Sequence, residues 1–365
     1  MRRARVRSLP RLAPSRAPWY AFLMDRRTFL GGVAATAASA ALLREGVARA
    51  DLSGLAAVPP AGFSPMSVPG LVVRAKKSGC LEANGIYPKP EDAKEMLTRA
   101  LQELSGKSSL VDAVKAFIHP QDKVCVKVNG IALQNMSTNK ELVLPFVDAM
   151  IAAGVQPSNI TLLEAYPAWM QGTRITPKSV PAGVQIVNHG KGDGTVERNI
   201  PSLRRVAKFA RSLTEATALV TFGLVKDHSQ HGFTGALKTT THGCLLNPQD
   251  FHELHGSPQV AVVAAQDIVR SRMRLFILDG FKLMAHGGPL WRQPQYVIPH
   301  ESVYAATDPV AVDSIGWDEV EKARATFGLK TLKDEGREPA YIAAAESLGV
   351  GVADRKKITL RDVTL

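Results

Sequence analysis

Cysteine is scarce in this chain. Its 365 residues include three cysteines, Cys80, Cys125 and Cys244, which lie far apart and form no CxxC pair. This excludes a four-cysteine zinc site or an iron–sulfur cluster held by this chain alone. Cys125 stands in an apolar stretch typical of a buried strand, where cysteine behaves as a small hydrophobe. A Cys80–Cys244 disulfide stays open, because an oxidising compartment would permit it.

Long hydrophobic runs are also absent. The apolar run at residues 29–43 has fifteen residues, mostly Ala and Gly, which is short of the roughly 20 that a membrane-spanning helix needs. We therefore expect no permanent membrane span. Arg26-Arg27 stands just before this run, and Ala48-Arg49-Ala50 after it has the small-x-small pattern of a signal peptidase site. The order of these features predicts a twin-arginine export signal at residues 24–50.

An export signal implies partners and a compartment. The partners would be the twin-arginine translocase and signal peptidase, and the mature protein would be periplasmic. Met24 directly precedes the motif and offers a second start site, which would make residues 1–23 an upstream extension. No cysteine lies near the cleavage site, which argues against a lipoprotein. The alternative is a disordered basic N-terminus with a chance arginine pair.

A basic block suited to nucleic acid is missing once the signal is set aside. The chain has 45 basic and 33 acidic residues, of which ten and two lie in the first 50 positions. The remaining 315 residues therefore carry a formal charge of only +4. No Lys/Arg-rich stretch with interleaved aromatics remains to contact phosphates. We exclude nucleic acid as a partner.

Apolar periodicity after residue 70 indicates alternating strands and helices. Residues 51–70, with four prolines, are interpreted as a linker, and residues 71–365 as a single large α/β domain. Strands separated by helices of this length predict a parallel or mixed sheet with helices on both faces. The expected strands are 71–75, 123–128, 160–164, 184–187, 275–279, 302–306 and 357–360, and the expected helices are 90–104, 140–153, 259–269, 309–325 and 339–348; 213–225 would be helix followed by strand.

Polar residues recur where the predicted strands end. Lys127 and Asn129 follow one strand, and Glu164, Asp279 and Asp308 follow three others. Ligands of open α/β sheets bind beyond the carboxyl ends of the strands, so this recurrence favours a common site. Each residue alone is more typical of a turn or cap, and Asp308 before Pro309 fits a helix N-cap.

Histidines are concentrated in one segment. Five of the nine fall within residues 226–255, together with Asp227 and Lys238: His228, His231, His242, His252 and His255. Imidazoles bind divalent transition metals, with Asp227 as a further ligand or as a partner of a ligand. His228 and His231 would share a face if helical. No named motif such as HExxH is present, so a solvated polar loop is the alternative.

Lys238 follows a stretch of small residues that allows close approach of a ligand. It would bind an anionic group or, if desolvated, act as a base or form a Schiff base. Glycines at 190, 192 and 194 match neither the dinucleotide fingerprint nor the P-loop.

Several motifs together resemble the uncharacterised DUF362 family. They run in family order over roughly residues 70–325: VKVN at 126–129, KDH at 226–228, TGALK at 234–238, LDG at 278–280, GP at 288–289 and TDPVAVD at 307–313. The resemblance implies an α/β domain, and many relatives carry twin-arginine signals or ferredoxin-like modules. The chain departs from the family at Thr239, where relatives have Asn, and at Val128, where they have Pro. The family supplies no settled activity.

The combined hypothesis is a periplasmic enzyme, metal- or redox-linked, that acts on a small anionic substrate in one cleft. In it His228, Lys238 and Asp313 are the catalytic candidates, and Lys127 and Asn129 the substrate-binding ones. Asp227, His228, His231, Asp279 and Asp308 are the candidate ligands of a divalent metal ion. The alternative is a non-catalytic ligand-binding, metal-binding or maturation protein. The sequence identifies neither the substrate nor a redox partner.

Overall fold

The apolar segments of the chain assemble into a nine-stranded mixed sheet. The computed structural model describes residues 55–253 and 257–365; the predicted export signal and His255 lie outside them. The strands are β1 (Leu71–Lys76), β2 (Val124–Lys127), β3 (Ile160–Glu164), β4 (Gln185–Asn188), β5 (Thr195–Ile200), β6 (Arg205–Ala210), β7 (Ala218–His228), β8 (Gly232–Thr234), β9 (Met273–Met284), β10 (Val297–Ala306) and β11 (Thr359–Thr364).

Ten described helices accompany the strands. They are α1 (Pro90–Ser105), α2 (Leu110–Phe117), α3 (Lys140–Ala152), α4 (Pro167–Gly172), α5 (Arg211–Thr214), α6 (Ala236–Thr240), α7 (Ser257–Ala265), α8 (Asp267–Arg270), α9 (Pro309–Thr326) and α10 (Tyr341–Ser347). Among these helices none is long and apolar enough to cross a bilayer.

The strand order confirms the predicted fold class. The main sheet runs β11-β1-β10-β9-β7-β2-β3-β4, with β8 paired to β7, and β5–β6 form a separate hairpin. Strands β9, β7, β2, β3 and β4 are parallel neighbours, whereas β10 is antiparallel to both β1 and β9. Because β7, β2 and β3 are parallel, their carboxyl ends meet at one edge, which is where ligands of such sheets bind.

Alternation along the strands creates two covered faces. In β2, Val124 and Val126 pack on one side with helices α1 to α3, whereas Cys125 packs on the other. The second side is covered by helices α7 to α10 and by the β5–β6 hairpin. Burial on both faces explains why the central strands have nearly continuous apolar sequences.

The three cysteines are free and buried. Cys80 belongs to the core on the α1–α3 side, whereas Cys244 belongs to the core on the opposite side of the sheet. A Cys80–Cys244 disulfide, which the sequence left open, is therefore excluded, because the sheet separates the two thiols.

Candidate metal centre

Polar side chains line the edge where β2, β3 and β7 end. Lys127 is the last residue of β2, Glu164 of β3 and His228 of β7. Lys226, two residues before His228, points to the same side of β7, since side chains alternate along a strand. Lys127 pairs with Thr221, so β7 continues for seven residues past the end of β2 before it reaches His228.

Four histidines pack against one another beside this edge. The centroid of the His231 ring lies 4.7 Å from those of His228 and His252 and 5.4 Å from that of His242. Ligand atoms of His228, His231 and His252 all lie within 4.8 Å of one another. Among the described residues these three histidines therefore form a group with the spacing of a metal site.

The turn after β7 supplies two of these ligands. His228 ends the strand and His231 directly precedes β8, so they are carried by a tight hairpin and not by a helix. His242 opens a 3₁₀ turn, and His252 follows another 3₁₀ turn at Pro248–Phe251. The helical face considered for His228 and His231 is therefore wrong, although the two rings do meet.

Hydrogen bonds prepare His252 as a ligand. Its Nδ1 lies 2.7 Å from the carbonyl oxygen of Pro248, to which only a protonated Nδ1 can donate. Nε2 then keeps its lone pair, as in many metal-binding histidines whose second nitrogen donates to a carbonyl. His228 differs, because its Nδ1 accepts the backbone N–H groups of Gln230 and His231 at 3.1 and 3.3 Å. Ligation by its Nε2 requires loss of that ring's proton or rotation of the ring.

Among the described residues, His231 has no hydrogen-bond partner on either ring nitrogen, although it is fully buried. Polar groups removed from water normally find a partner, and each one that does not costs about 1–3 kcal/mol. A metal ion bound to one nitrogen would remove part of this deficit. The orphaned imidazole is thus the strongest local sign that the cluster binds something.

Burial keeps the histidines neutral. It lowers the pKa of His228 and His242 well below the usual range, lowers that of His231 as well, and lowers that of His252 to about 4. The nearby Lys238 ammonium lowers the pKa of all four rings further. Neutral imidazole is the form that binds a metal, so His231 and His252 need no proton loss to become ligands.

Two lysines in the cluster lack a carboxylate partner among the described residues. Lys238 on α6 contacts only Nε2 of His252, at 3.5 Å. Lys226 donates to the side-chain oxygen of Asn129 at 3.2 Å and to the carbonyl of Pro289 at 3.3 Å. Asn129 in turn donates to the hydroxyl of Thr239 at 3.1 Å. Burial lowers the pKa of both lysines to about 7.

Lys127 is placed differently, because its charge is already balanced. Its Nζ lies 2.6 Å from Oε2 of Glu164 and also donates to the carbonyl of Val128, and both side chains of the pair are buried. Of the three lysines at this edge, Lys226 and Lys238 are therefore the better-placed anion ligands. The assignment of Lys127 to substrate binding stays a prediction.

Asp227 faces away from the histidines towards two arginines. Its Oδ1 accepts from Arg337 at 2.6 Å and lies 3.8 Å from Arg324, while Oδ2 accepts the Gly288 N–H at 3.1 Å. Arg337 also donates to the backbone carbonyl of His228 at 2.9 Å. A Cβ on Gly288 would approach the Asp227 carbonyl to 1.8 Å. These contacts fix the turn that carries His228.

The remaining predicted aspartates accept backbone hydrogen bonds. Asp279 lies within β9, which continues to Met284, and its Oδ2 accepts the Asn139 N–H at 2.7 Å. Asp308 is the N-cap of α9, and its carboxylate also accepts from Gly70 and Val352 at 3.0 Å. It borders a cleft of about 390 Å³ whose lining contains no histidine.

Asp313 supports the helix that carries Lys238. Its two oxygens accept the N–H groups of Ala236 and Leu237 at 2.5 and 2.9 Å, while burial raises the pKa of its carboxyl group to about 7. The contacts favour structural roles for Asp279, Asp308 and Asp313. Their assignments as metal ligands or catalytic groups stay predictions.

Two further polar residues at this edge were not predicted from the sequence. The sequence contained an indication for Lys226, because this residue belongs to the same KDH motif as His228. For His189, just after β4, it contained none: this residue is buried, donates from Nε2 to the Gly243 carbonyl at 2.9 Å, and leaves Nδ1 without a partner. Burial lowers its pKa, and Lys127 lowers it further.

Comparison with known proteins gives a family and distant structural likenesses. No curated protein matches the chain. A crystal structure of a Thermotoga maritima protein is 14% identical with a TM-score of 0.39, over 67% of this chain and 60% of that one. The lactate racemase apoprotein from Thermoanaerobacterium thermosaccharolyticum is 12% identical with a TM-score of 0.38, over 69% and 57%. The chain thus spans less than two thirds of the length of either protein.

The sequence profile of a domain of unknown function, DUF362, matches residues 124–318. The matched region includes β2, β3 and β7, the histidine cluster and both unpaired lysines, and it ends within α9. Since the match covers more than half of the chain, the protein belongs to the DUF362 family.

Proposed function

We propose that this protein is a metal-dependent enzyme that acts on a small anionic substrate at the histidine cluster. The observation that carries the proposal is that His228 and His252 lie against the fully buried ring of His231, and that both nitrogens of this ring lack a hydrogen-bond partner among the described residues. Three neutral imidazoles leave coordination positions open, as in catalytic zinc sites with three protein ligands. A bound metal ion would polarise a substrate oxygen or activate water.

The nitrogen-only ligand set favours a borderline transition metal. Imidazole suits Zn²⁺, Ni²⁺, Cu²⁺ and Fe²⁺, whereas Mg²⁺ and Ca²⁺ prefer oxygen ligands. Asp227 is engaged by Arg337 and Gly288 and so adds no obvious oxygen ligand. We therefore expect a first-row transition metal in place of an alkaline-earth ion.

Charge supports an anionic substrate. Lys226 and Lys238 place two lysine amines beside the histidines without a carboxylate partner for either, among the described residues. Lysine acts as a point charge for carboxylate or phosphate groups. Asn129 and Thr239 add hydrogen-bonding groups next to Lys226 and Lys238.

Burial favours a second candidate function, that of a metal carrier or maturation protein. His231 and Lys226 are fully buried and His228 is nearly so, whereas His252 is half-buried. A closed site suits retention of a ligand as well as turnover. The two functions differ in whether the bound metal leaves: a carrier would pass it to a chelating acceptor within minutes, and an enzyme would retain it.

Metal analysis of the purified full chain tests the proposal. We expect about one transition-metal ion per chain after incubation with Zn²⁺, Ni²⁺, Co²⁺, Cu²⁺ or Fe²⁺ and removal of unbound metal. Elemental analysis by mass spectrometry provides the stoichiometry. A folded chain that retains none of these five ions at neutral pH would rule out the metal centre.

We also propose that the protein is exported through the twin-arginine pathway, on the strength of the Arg26-Arg27 motif and the following cleavage pattern. Replacing both arginines by lysine keeps the charge but removes the motif, so we expect the processed form to disappear from the periplasmic fraction. Lysine replacement of Arg2 and Arg3 is the matched control. Unchanged export of the Arg26→Lys/Arg27→Lys variant would contradict the proposal.

A further inference from the structure

The charges around the histidine cluster are poorly suited to a metal ion alone. The Nζ of Lys238 lies 3.5 Å from Nε2 of His252, the nitrogen that is free to bind a metal. Apart from Glu164, which is paired with Lys127, no carboxylate of the described chain contacts a lysine at this edge. A divalent cation bound here would face both Lys226 and Lys238 in a water-poor site, where its repulsion with their protonated forms is strong.

An anion removes this conflict. A carboxylate or another oxyanion bound by Lys238 would place negative charge between the lysine and the metal. Its remaining oxygens would face Lys226 and the hydrogen-bonding groups of Asn129 and Thr239. Each of the two bound species would then screen the repulsion that opposes binding of the other.

We propose that the site binds a transition-metal ion and a small oxyanion synergistically, with Lys238 as the residue that couples them. This rests on the proposed metal centre and defines the class of its second ligand. Coupling is reciprocal by thermodynamic necessity: if the anion raises the affinity for the metal by a given factor, the metal raises the affinity for the anion by the same factor.

The experiment measures the affinity of the full chain for Zn²⁺ by competition with a chromophoric chelator. Three solutions of equal ionic strength contain sodium perchlorate, acetate or sulfate, of which perchlorate coordinates metals and binds lysine most weakly. We expect at least about tenfold tighter binding in acetate or sulfate than in perchlorate, within the usual range of coupling between two sites. The better of the two anions indicates whether a carboxylate or a tetrahedral oxyanion is preferred.

A Lys238→Met variant identifies the coupling residue. It keeps the length of the side chain without the charge, so we expect it to bind Zn²⁺ more tightly than wild type in perchlorate and to lose the anion effect. Lys282→Met is the matched control, because Lys282 is a buried lysine that donates to the Asn135 carbonyl, on another element. It should keep the anion effect of the wild type.

The outcomes separate the inference from the function on which it rests. No Zn²⁺ binding in any of the three solutions would remove the metal centre itself. Zn²⁺ binding of equal strength in all three would leave the metal centre standing and overturn the synergy. An anion effect that persists in Lys238→Met would equally overturn the role given to Lys238.

Discussion

Replacing His231 by leucine is expected to stabilise the metal-free protein while abolishing its stoichiometric metal binding. The ring of His231 is buried without a partner on either nitrogen, so removing these polar atoms relieves an unfavourable burial. We expect the free energy of unfolding of the metal-free chain to rise by about 1–3 kcal/mol. Loss of one of three ligands should weaken metal binding by at least about 100-fold, since loss of a ligand's hydrogen-bond partner alone costs 10–100-fold.

Urea unfolding in the presence of a chelator gives the free energy of unfolding of the metal-free chain. Competition with a chelator gives the metal affinity. His300→Leu is the matched control, because Nε2 of His300 is paired with the Tyr304 hydroxyl at 2.7 Å. That variant should lose stability and keep metal binding. A His231→Leu chain that is less stable than wild type and still binds metal would show that the imidazole is a packing residue.

The opposite signs expected for His231 and His300 reflect what each residue contributes. A histidine whose hydrogen bonds are satisfied within the protein stabilises the fold, and its removal leaves a partner unpaired. A histidine kept buried without partners costs stability in the metal-free state, and such residues concentrate at functional sites. The change in the free energy of unfolding therefore shows whether His231 is a metal-binding residue or a packing residue before any substrate is known.

Much of the sheet could be predicted because its central strands are apolar on both faces. The strand 160–164 has the observed bounds, and the helices at 90–104 and 140–153 end within one residue of the observed positions. Strands β9 and β10 extend well beyond the predicted 275–279 and 302–306, because their pairing with each other continues to Met284 and Val297. Residues 280–284 of β9 are buried as well, but Gly280 and Lys282 interrupt their apolar sequence, so the apolar pattern stops at 279.

Other elements lacked a usable local signal. The hairpin β5–β6 consists of two strands that each contain two charged residues, and it covers the sheet from outside its main layer. Strand β8 has three residues and forms only because it folds back on the end of β7. Both depend on tertiary pairing, which a single sequence does not display.

For the candidate site, the sequence indicated which residue types are present more than how they are arranged. Residues 226–255 were identified by their histidines, but the meeting of His252 with His228 depends on the path of the intervening chain through α6 and two 3₁₀ turns. The aspartates are a different case, because their positions in the sequence suggested a site whereas their contacts in the structure are with the backbone. Asp279 and Asp313 stand at suggestive positions, yet their oxygens accept backbone N–H groups from distant segments. Only the folded structure shows which buried N–H groups need such acceptors.

Replacing Lys127 by methionine is expected to cause a large loss of stability. Lys127 and Glu164 are both nearly inaccessible, with 2% and 3% of their side chains exposed, and their charged atoms lie 2.6 Å apart. Without the lysine, the Glu164 carboxylate would keep only the backbone N–H of Ala165, at 3.0 Å, among its described contacts. Breaking a buried pair on one side leaves an uncompensated charge, so we expect the free energy of unfolding to fall by about 3–5 kcal/mol.

The double variant Lys127→Met/Glu164→Gln decides whether the loss arises from the unpaired charge. Removing both charges should restore most of the stability, because a buried ion pair stabilises little relative to uncharged groups of similar volume. Arg361→Met, which breaks the exposed pair with Glu103, should cost less than about 1 kcal/mol. The urea midpoints of the single variant, the double variant and Arg361→Met, at an unchanged m value, give the three changes in the free energy of unfolding. If the double variant is as unstable as the single one, Lys127 stabilises the strand ends by packing, and the ion pair is not what holds the ends of β2 and β3 together.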